Sequence, residues 1–199
     1  MSHAVKVARL ATRAKRDARL AELGAAMPID ERVDPSGALA EPLEAGRLRI
    51  GNRFCVLPME GWDASADGRP TDLVRRRWRR FGASGAKLVW GGEAVAVGPE
   101  GRANPHQLCR NEHSERDLAG LRDELVRAHA EACGGANGLV VGLQLTHSGR
   151  FARPRGAPAP RTAFRHAVLD ARVGIASDAA LLSDAELDDL LGAYGALAR

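Results

Sequence analysis

The feature that most constrains the fold of this chain is residues 138–145, Gly-Leu-Val-Val-Gly-Leu-Gln-Leu, which are apolar at nearly every position. Apolar side chains on both alternating faces predict a strand covered on both sides, as in the parallel sheets of α/β proteins. Two shorter apolar runs precede it, at residues 54–57 and 88–90, and a helical pattern follows each of them. The order strand, helix, strand, helix, strand predicts repeated βα units.

Capping signals predict where the helices begin. Thr71 or Asp72 can cap the first helix, which we expect to end at Gly82. A variant capping box, Ser114 with Asp117, predicts the start of the second helix. Ser183 with Glu186 forms a full capping box and predicts a third helix, which carries Leu187, Leu190, Leu191 and Tyr194.

The N-terminal region has a different character. Residues 1–26 place small apolar side chains at near-helical spacing among Lys and Arg, and they predict an amphipathic helix. Residues up to about 48 form a linker rich in Pro, Gly and acidic side chains. We therefore predict two parts, residues 1–46 as helix and linker and residues 47–199 as the strand-bearing domain. A transit peptide is a less favoured alternative, since acidic residues are present and serines are scarce.

Composition narrows the class of protein. The chain has 199 residues, of which 45% are hydrophobic, as in an ordinary globular protein. No apolar run approaches the roughly 18 residues of a membrane helix, and no secretory signal is evident, so we expect a cytoplasmic protein. The three cysteines contain no Cys-x-x-Cys pair, which argues against a disulfide framework or a zinc ribbon.

A cluster of arginines raises the alternative of a nucleic-acid or other polyanion site. It consists of Arg75, Arg76, Arg77, Arg79 and Arg80. In the same window Val74, Trp78 and Phe81 recur at the spacing of one helix face. We expect that stripe to face the core and the arginines to coat the solvated side, so nucleic-acid binding is not favoured.

Polar or backbone-exposing residues follow all three predicted strands. They are Pro58, Met59 and Glu60 after the first, Glu93 and Ala94 after the second, and Gln144, Thr146 and His147 at the end of the third. In parallel α/β folds, ligands gather just beyond the carboxyl ends of the strands. The pattern therefore predicts one shared ligand site.

Several other sites are excluded by spacing. The glycine-rich residues 134–138 precede a strand, whereas a dinucleotide loop follows one, and no Walker-type lysine loop exists. His106, Cys109 and His113 supply only three potential zinc ligands, on a loop without a fourth. The adjacent pair at 147–148, His-Ser, points to opposite sides of an extended chain and does not favour a nucleophile with its base.

Four motifs carry a resemblance to a known family. They are Asn52-Arg53 with Leu57-Pro58-Met59, Asp67-Gly68 with Pro70-Thr71, residues 93–97 with Pro99-Glu100-Gly101-Arg102, and residues 144–150, Gln-Leu-Thr-His-Ser-Gly-Arg. In this order and at this spacing, from about residue 47 onward, the sequence resembles the Old Yellow Enzyme family of NADH:flavin oxidoreductases.

The resemblance implies a (β/α)8 TIM barrel that holds FMN at the carboxyl end of its strands. It implies that backbone groups of Pro58, Met59 and Ala94 contact the flavin ring and that Gln144 hydrogen-bonds the pyrimidine edge. An amide can both donate and accept, which suits that edge. Glu60 would lie beside the flavin, where better-known members carry a small hydroxyl residue. No catalytic residue and no metal ligand is assigned.

The implied activity is an FMN-dependent oxidoreductase. NADH or NADPH serves as reductant, and hydride passes from reduced flavin to a small-molecule acceptor such as an activated alkene. The sequence matches only the first three βα units of the barrel, with an N-terminal helical extension, and the family's later strands are not found in it. The alternatives left open are a non-catalytic fragment, a subunit that needs a complementing chain or an oligomer, and a basic interaction module.

Overall fold

The computed structural model of the chain describes residues 5–28, 32 and 34–198. The chain divides into two compact units, Met1–Gly37 and Ala38–Arg199. Among the helices of the described residues, none has the length and apolar character that a membrane crossing requires.

The first unit contains one short helix. A 3-10 turn at Val7–Leu10 precedes α1, Arg13–Glu22. Thr12 caps α1, because its side-chain oxygen accepts a hydrogen bond from the Lys15 N–H at 3.4 Å. Neither the turn nor α1 buries any of its residues. The helix predicted over residues 1–26 is therefore shorter than expected, since the cap at Thr12 separates it from the turn; residues 1–4 lie outside the described residues.

The second unit opens with a hairpin. Strands β1, Leu43–Ala45, and β2, Leu48–Ile50, pair antiparallel with Ala45 opposite Leu48. Gly46 has a φ of 61°, which a two-residue hairpin turn requires. Residues 46 and 47 form the turn of this hairpin. The domain boundary that the sequence places between them stays a prediction.

The predicted parallel strands are confirmed. Strands β3, Cys55–Val56, β4, Leu88–Val89, and β6, Val140–Val141, form a parallel sheet in the order β3-β4-β6. Strands β5, Ala94–Ala96, and β7, Gln144–Thr146, form a second parallel pair farther along the same two runs of chain. The carboxyl ends of β5 and β7 consequently lie side by side.

Two helices cover one face of this sheet. They are α2, Asp72–Ala83, which Thr71 caps, and α3, Ser114–Cys133. The predicted apolar stripe of α2 faces the core as expected, with Val74 and Trp78 buried and Phe81 partly buried. The core that α2 and α3 share with the sheet consists of Ala64, Val74, Trp78, Val89, Val95, Leu108, Leu121 and Leu125.

Gly82 lies inside α2 and does not end it, contrary to the sequence-based expectation. A Cβ atom at Gly82 would lie 2.2 Å from the Leu125 carbonyl oxygen. The missing side chain thus allows α2 and α3 to approach closely. The helix ends after Ala83, where the Ser84 N–H and hydroxyl both donate to the Phe81 carbonyl oxygen.

The two faces of β4 are unequally covered, whereas both residues of β6, in the run predicted to be covered on both sides, are partly buried. Val89 is buried beneath the helices, whereas the neighbouring Trp90, on the opposite face, is 52% exposed. The Trp90 ring rests on Gly142, where a Cβ atom would lie 2.9 Å from Cε3. Leu57 is also exposed. Among the described residues, α2 and α3 pack against one face of the sheet. On the opposite face, which we call the open face, Leu57 and Trp90 are exposed to solvent.

The last elements are α4, Ala167–Val173, and α5, Asp184–Leu197. The capping box at the start of α5 is confirmed: the Glu186 N–H donates to the Ser183 Oγ, and the Ser183 N–H donates to the Glu186 carboxylate. The box predicted at Ser114 is wrong. The Asp117 carboxylate accepts instead from the Arg69 guanidinium at 2.7 and 3.0 Å, so it is not available to the helix start.

Candidate functional site

Four residues that the sequence placed at a shared site meet just beyond the carboxyl ends of β3, β4 and β6, where β5 and β7 begin. Ala94 is the register partner of Gln144, and its N–H donates to the Met59 carbonyl oxygen at 3.3 Å. A Cβ atom at Gly91 would lie 2.9 Å from both the Pro58 Cβ and the Gln144 nitrogen. Pro58, Met59, Ala94 and Gln144 therefore border one edge of the sheet.

The exposed side chains at this edge are mostly apolar. Met59 is 56% exposed, and Trp90 lies on the open face next to Gly91. Gln144 is also exposed, so its amide presents a donor and an acceptor to any ligand at the edge. A flat apolar surface with one amide at its border suits a planar ring that has a polar edge.

Glu60 differs from the other predicted site residues because its carboxylate already has a partner. The Trp62 indole N–H donates to it at 3.0 Å. Trp62 has a φ of 52°, in the left-handed region that non-glycine residues rarely adopt, and its side chain is 53% exposed. Glu60 and Trp62 lie beside Met59 as a hydrogen-bonded pair.

Sequence patterns missed Gln107, a fully buried side chain behind the edge. Its amide nitrogen donates to the Ala94 carbonyl oxygen at 3.0 Å and to the Thr146 hydroxyl at 3.1 Å. Its amide oxygen accepts from the Ala103 N–H at 2.7 Å. Gln107 thus holds the ends of β5 and β7 together. Both backbone hydrogen-bonding groups of Ala94 therefore have protein partners: its N–H donates to the Met59 carbonyl oxygen, and its carbonyl oxygen accepts from the Gln107 amide.

A buried group of three charges lies behind residues 58–63. Glu93 is 1% exposed, and its carboxylate accepts from the Gly61 N–H at 2.9 Å. An Arg77 guanidinium nitrogen lies 2.6 Å from Glu93 and 2.6 Å from Asp63. Burial raises the pKa of the Glu93 carboxyl above its ordinary range, although the Arg77 charge opposes that shift. We call Asp63, Arg77 and Glu93 the buried triad.

The prediction that the arginines of α2 coat a solvated face holds for Arg76, Arg79 and Arg80, which are exposed, and is wrong for Arg77. Arg77 points inward, and its Nη1 is buried without a hydrogen-bond partner among the described residues. Arg75 and Arg79 both pair with Glu124 of α3, at 2.7 and 3.1 Å. The helical pattern describes only residues that are close together in the sequence. It therefore could not predict these carboxylate partners, which come from other parts of the chain.

The residues after β7 have structural partners. The His147 side chain is half-buried, and its Nδ1 accepts from the Gly149 N–H at 3.1 Å. Burial lowers the pKa of His147, so the ring is neutral at pH 7. The Arg150 guanidinium donates to Asp170 at 2.7 Å. Both side chains shape the turn after the strand.

The alternative zinc site is not formed. Within residues 5–28, 32 and 34–198, no three His, Cys, Asp or Glu side chains are grouped to hold a metal ion. Cys109 is buried, and that burial raises its pKa to about 11, so the thiol stays protonated at neutral pH.

Comparisons with known proteins show which fold this chain resembles. A search of protein-family models finds no match. The Old Yellow Enzyme from Pichia sp. AKU4542 is similar in structure, with a TM-score of 0.52 and 17% identity, over 79% of this chain and 40% of that one. The chain has the fold of part of an Old Yellow Enzyme. At this identity, the likeness to Old Yellow Enzyme shows the fold alone.

Two further structures belong to the same group. The Old Yellow Enzyme homologue from Zymomonas mobilis has a TM-score of 0.47 and 21% identity, over 65% of this chain and 34% of that one. The Old Yellow Enzyme from Trypanosoma cruzi has a TM-score of 0.45 and 25% identity, over 60% and 29%. The matched region of this chain thus spans between about a third and two fifths of the Old Yellow Enzymes from Pichia and Zymomonas.

Proposed function

We propose that this chain carries the N-terminal part of an FMN site, in an NAD(P)H oxidoreductase of the Old Yellow Enzyme type. The observation that supports the proposal is the convergence of Pro58, Ala94 and Gln144 at one edge of the parallel sheet. In this proposal residues 47–199 form the first three βα units of a (β/α)8 barrel, and residues 1–46 form a separate extension.

The residues at the edge fit the flavin ring. Met59 and Trp90 offer exposed apolar surface, on which an isoalloxazine could lie. The exposed Gln144 amide could donate and accept at the pyrimidine edge. Ala94 is buried and both of its backbone groups have protein partners, so its part in the proposed site is to hold β5 beside Gln144. Glu60 would lie beside the ring, with its carboxylate held by Trp62.

When bound, FMN would supply the redox chemistry, with NADH or NADPH as the reductant and an activated alkene as one class of acceptor. The contribution of this chain is to bind and orient the ring. The open sheet face leaves the apolar bed accessible to water, so closure of the site would need further protein, either a complementing chain or another copy of this one.

Titration of the purified chain with FMN tests the proposal. We expect quenching of flavin fluorescence and a shift of the flavin absorbance band on binding. Gln144→Ala removes a hydrogen-bonding partner, so FMN should bind about tenfold more weakly. Asn137→Ala is the matched control, because Asn137 is an exposed amide that precedes β6, at the other end of the same run. It should bind FMN like the wild type.

Absence of any spectral change with the wild-type chain would refute FMN binding by these residues alone. Equal affinities of the Gln144→Ala and wild-type chains would refute the role of Gln144. Addition of NADH or NADPH to the FMN-bound chain then separates an enzyme from a non-catalytic binding chain, since bleaching of the flavin band reports reduction.

A further inference from the structure

The buried triad connects helix α2 and the start of β5 to the loop formed by residues 58–63. The Gly61 N–H donates to Glu93, and the Asp63 carboxylate accepts from Arg77. Glu93 immediately precedes Ala94, whose N–H donates to the Met59 carbonyl oxygen. The loop is therefore attached at Met59, Gly61 and Asp63, on both sides of Glu60.

The backbone of the loop depends on these attachments. Between Gly61 and Asp63, Trp62 has a left-handed φ of 52°, which costs free energy unless surrounding contacts hold it. Gly61 lies against Arg77, since a Cβ atom there would be 1.9 Å from the guanidinium Nη2. No residue with a side chain could occupy position 61 without moving Arg77.

A buried ion pair adds little net stability, because removing two charges from water offsets most of their attraction. Arg77 also keeps one buried nitrogen without a hydrogen-bond partner among the described residues. The buried triad is thus poorly explained as a source of stability. The contacts of the buried triad instead hold the loop in one specific conformation.

We propose that Glu93 is the positioning residue of this loop: through Gly61 and Arg77 it sets where Met59 and Glu60 stand at the edge of the sheet. The further claim that this placement presents a surface to FMN rests on the proposed function. The placement itself is a property of the chain and can be measured without a ligand.

Amide hydrogen exchange of the full chain tests the placement. Glu93→Ala removes the acceptor of the Gly61 N–H and the partner of Arg77, so the Gly61 amide should exchange at least tenfold faster. Glu93→Gln keeps an acceptor oxygen and should restore part of the protection. Glu124→Ala is the control, because it removes an ion pair of the same helix α2 away from the loop. It should leave the exchange of the Gly61 amide unchanged.

Equal exchange of the Gly61 amide in Glu93→Ala and Glu124→Ala would overturn the proposal. If Glu93→Ala fails to fold, Gly61→Ala decides, because its methyl group must displace the Arg77 guanidinium while Glu93 is retained. Faster exchange of the amide at position 61 in a cooperatively melting Gly61→Ala chain supports the proposal, and wild-type exchange overturns it.

FMN titration of the same variants separates this inference from the proposed function. If the wild-type chain binds FMN, Glu93→Ala should bind at least tenfold more weakly, Glu93→Gln should recover part of the loss, and Glu124→Ala should match the wild type. Equal affinities of Glu93→Ala and wild type would overturn the role of the loop in the FMN site. If the wild-type chain binds no FMN, the proposed function fails, and the exchange result still decides the positioning role.

Discussion

The two glutamines of this chain, Gln107 and Gln144, have opposite environments. Gln107 is fully buried and makes three hydrogen bonds, whereas Gln144 is exposed at the edge of the sheet. A buried amide with all partners in place fixes the structure around it, and an exposed amide is available to a ligand. The same residue type thus supports the site at one position and could contact its ligand at the other.

Gln107→Ala should destabilise the chain by about 1–3 kcal/mol, because the Ala94 carbonyl and the Ala103 N–H lose their partner inside the protein. Urea unfolding measures this free energy. Gln144→Ala is the comparison, and it should change the free energy of unfolding by less than about 0.5 kcal/mol, as exposed substitutions do. Equal effects of the two substitutions would contradict the structural role of Gln107.

The sequence correctly predicted those residues of the edge whose positions depend only on the order of the strands. Pro58, Ala94 and Gln144 each follow or end an apolar run, so parallel pairing places them together. It did not predict Gln107, whose partners lie 13 and 39 residues away, nor the inward orientation of Arg77. Those contacts depend on how loops and helices pack, which periodicity does not describe.

At the scale of elements, α2 and α3 approach closely at Gly82. Glycine is a poor helix former, so Gly82→Ala would stabilise an isolated helix by about 1 kcal/mol. Here the added methyl group would lie 2.2 Å from the Leu125 carbonyl oxygen, and the two helices must separate. We expect a net destabilisation of about 1–3 kcal/mol, measured by urea unfolding.

Gly120→Ala is the matched control, since Gly120 lies within α3 and its nearest contact to a new Cβ atom is 3.9 Å away. It should be neutral or stabilising by up to about 1 kcal/mol. The close-packing explanation fails if Gly82→Ala stabilises the chain as Gly120→Ala does.

Element order was easier to predict than element ends. Alternating strands and helices predicted the parallel pairing of β3, β4 and β6. The end of α2 was misplaced, because a glycine that normally stops a helix was needed here for packing. The start of α3 was assigned a capping box that Arg69 prevents, since its guanidinium engages the Asp117 carboxylate.

At the scale of the whole molecule, the ion pair of Arg69 with Asp117 makes stability depend on pH. Hydrogen bonds from Arg69 lower the pKa of Asp117 below its ordinary value of about 3.9. A carboxylate with a depressed pKa stabilises the folded state above its unfolded pKa, and this contribution is lost as pH falls through the folded pKa. The loss should therefore begin below about pH 5.

Asp117→Asn should lower the free energy of unfolding by about 1–2 kcal/mol at pH 7, and the difference from wild type should shrink as pH falls toward 3. Urea unfolding at a series of pH values measures both effects. Asp123→Asn on the exposed side of the same helix is the control and should have little effect at any pH. A constant difference between Asp117→Asn and wild type across this range would contradict the assignment.

The exposure of one face of the sheet at Leu57 and Trp90 was not predicted from the sequence. An apolar run on both faces predicts burial on both faces, yet Trp90 and Leu57 are exposed. The apolar pattern of a strand indicates which side chains favour burial. It does not indicate which helix or loop packs against them.

None of the ten residues of helix α1 is buried. Burial of apolar surface is the source of most of the heat capacity and cooperativity of unfolding, and a helix of this length is marginal without it. Its enthalpy of melting is consequently small and spread over a broad range of temperature. The cooperative heat absorption of the protein belongs to residues 38–199.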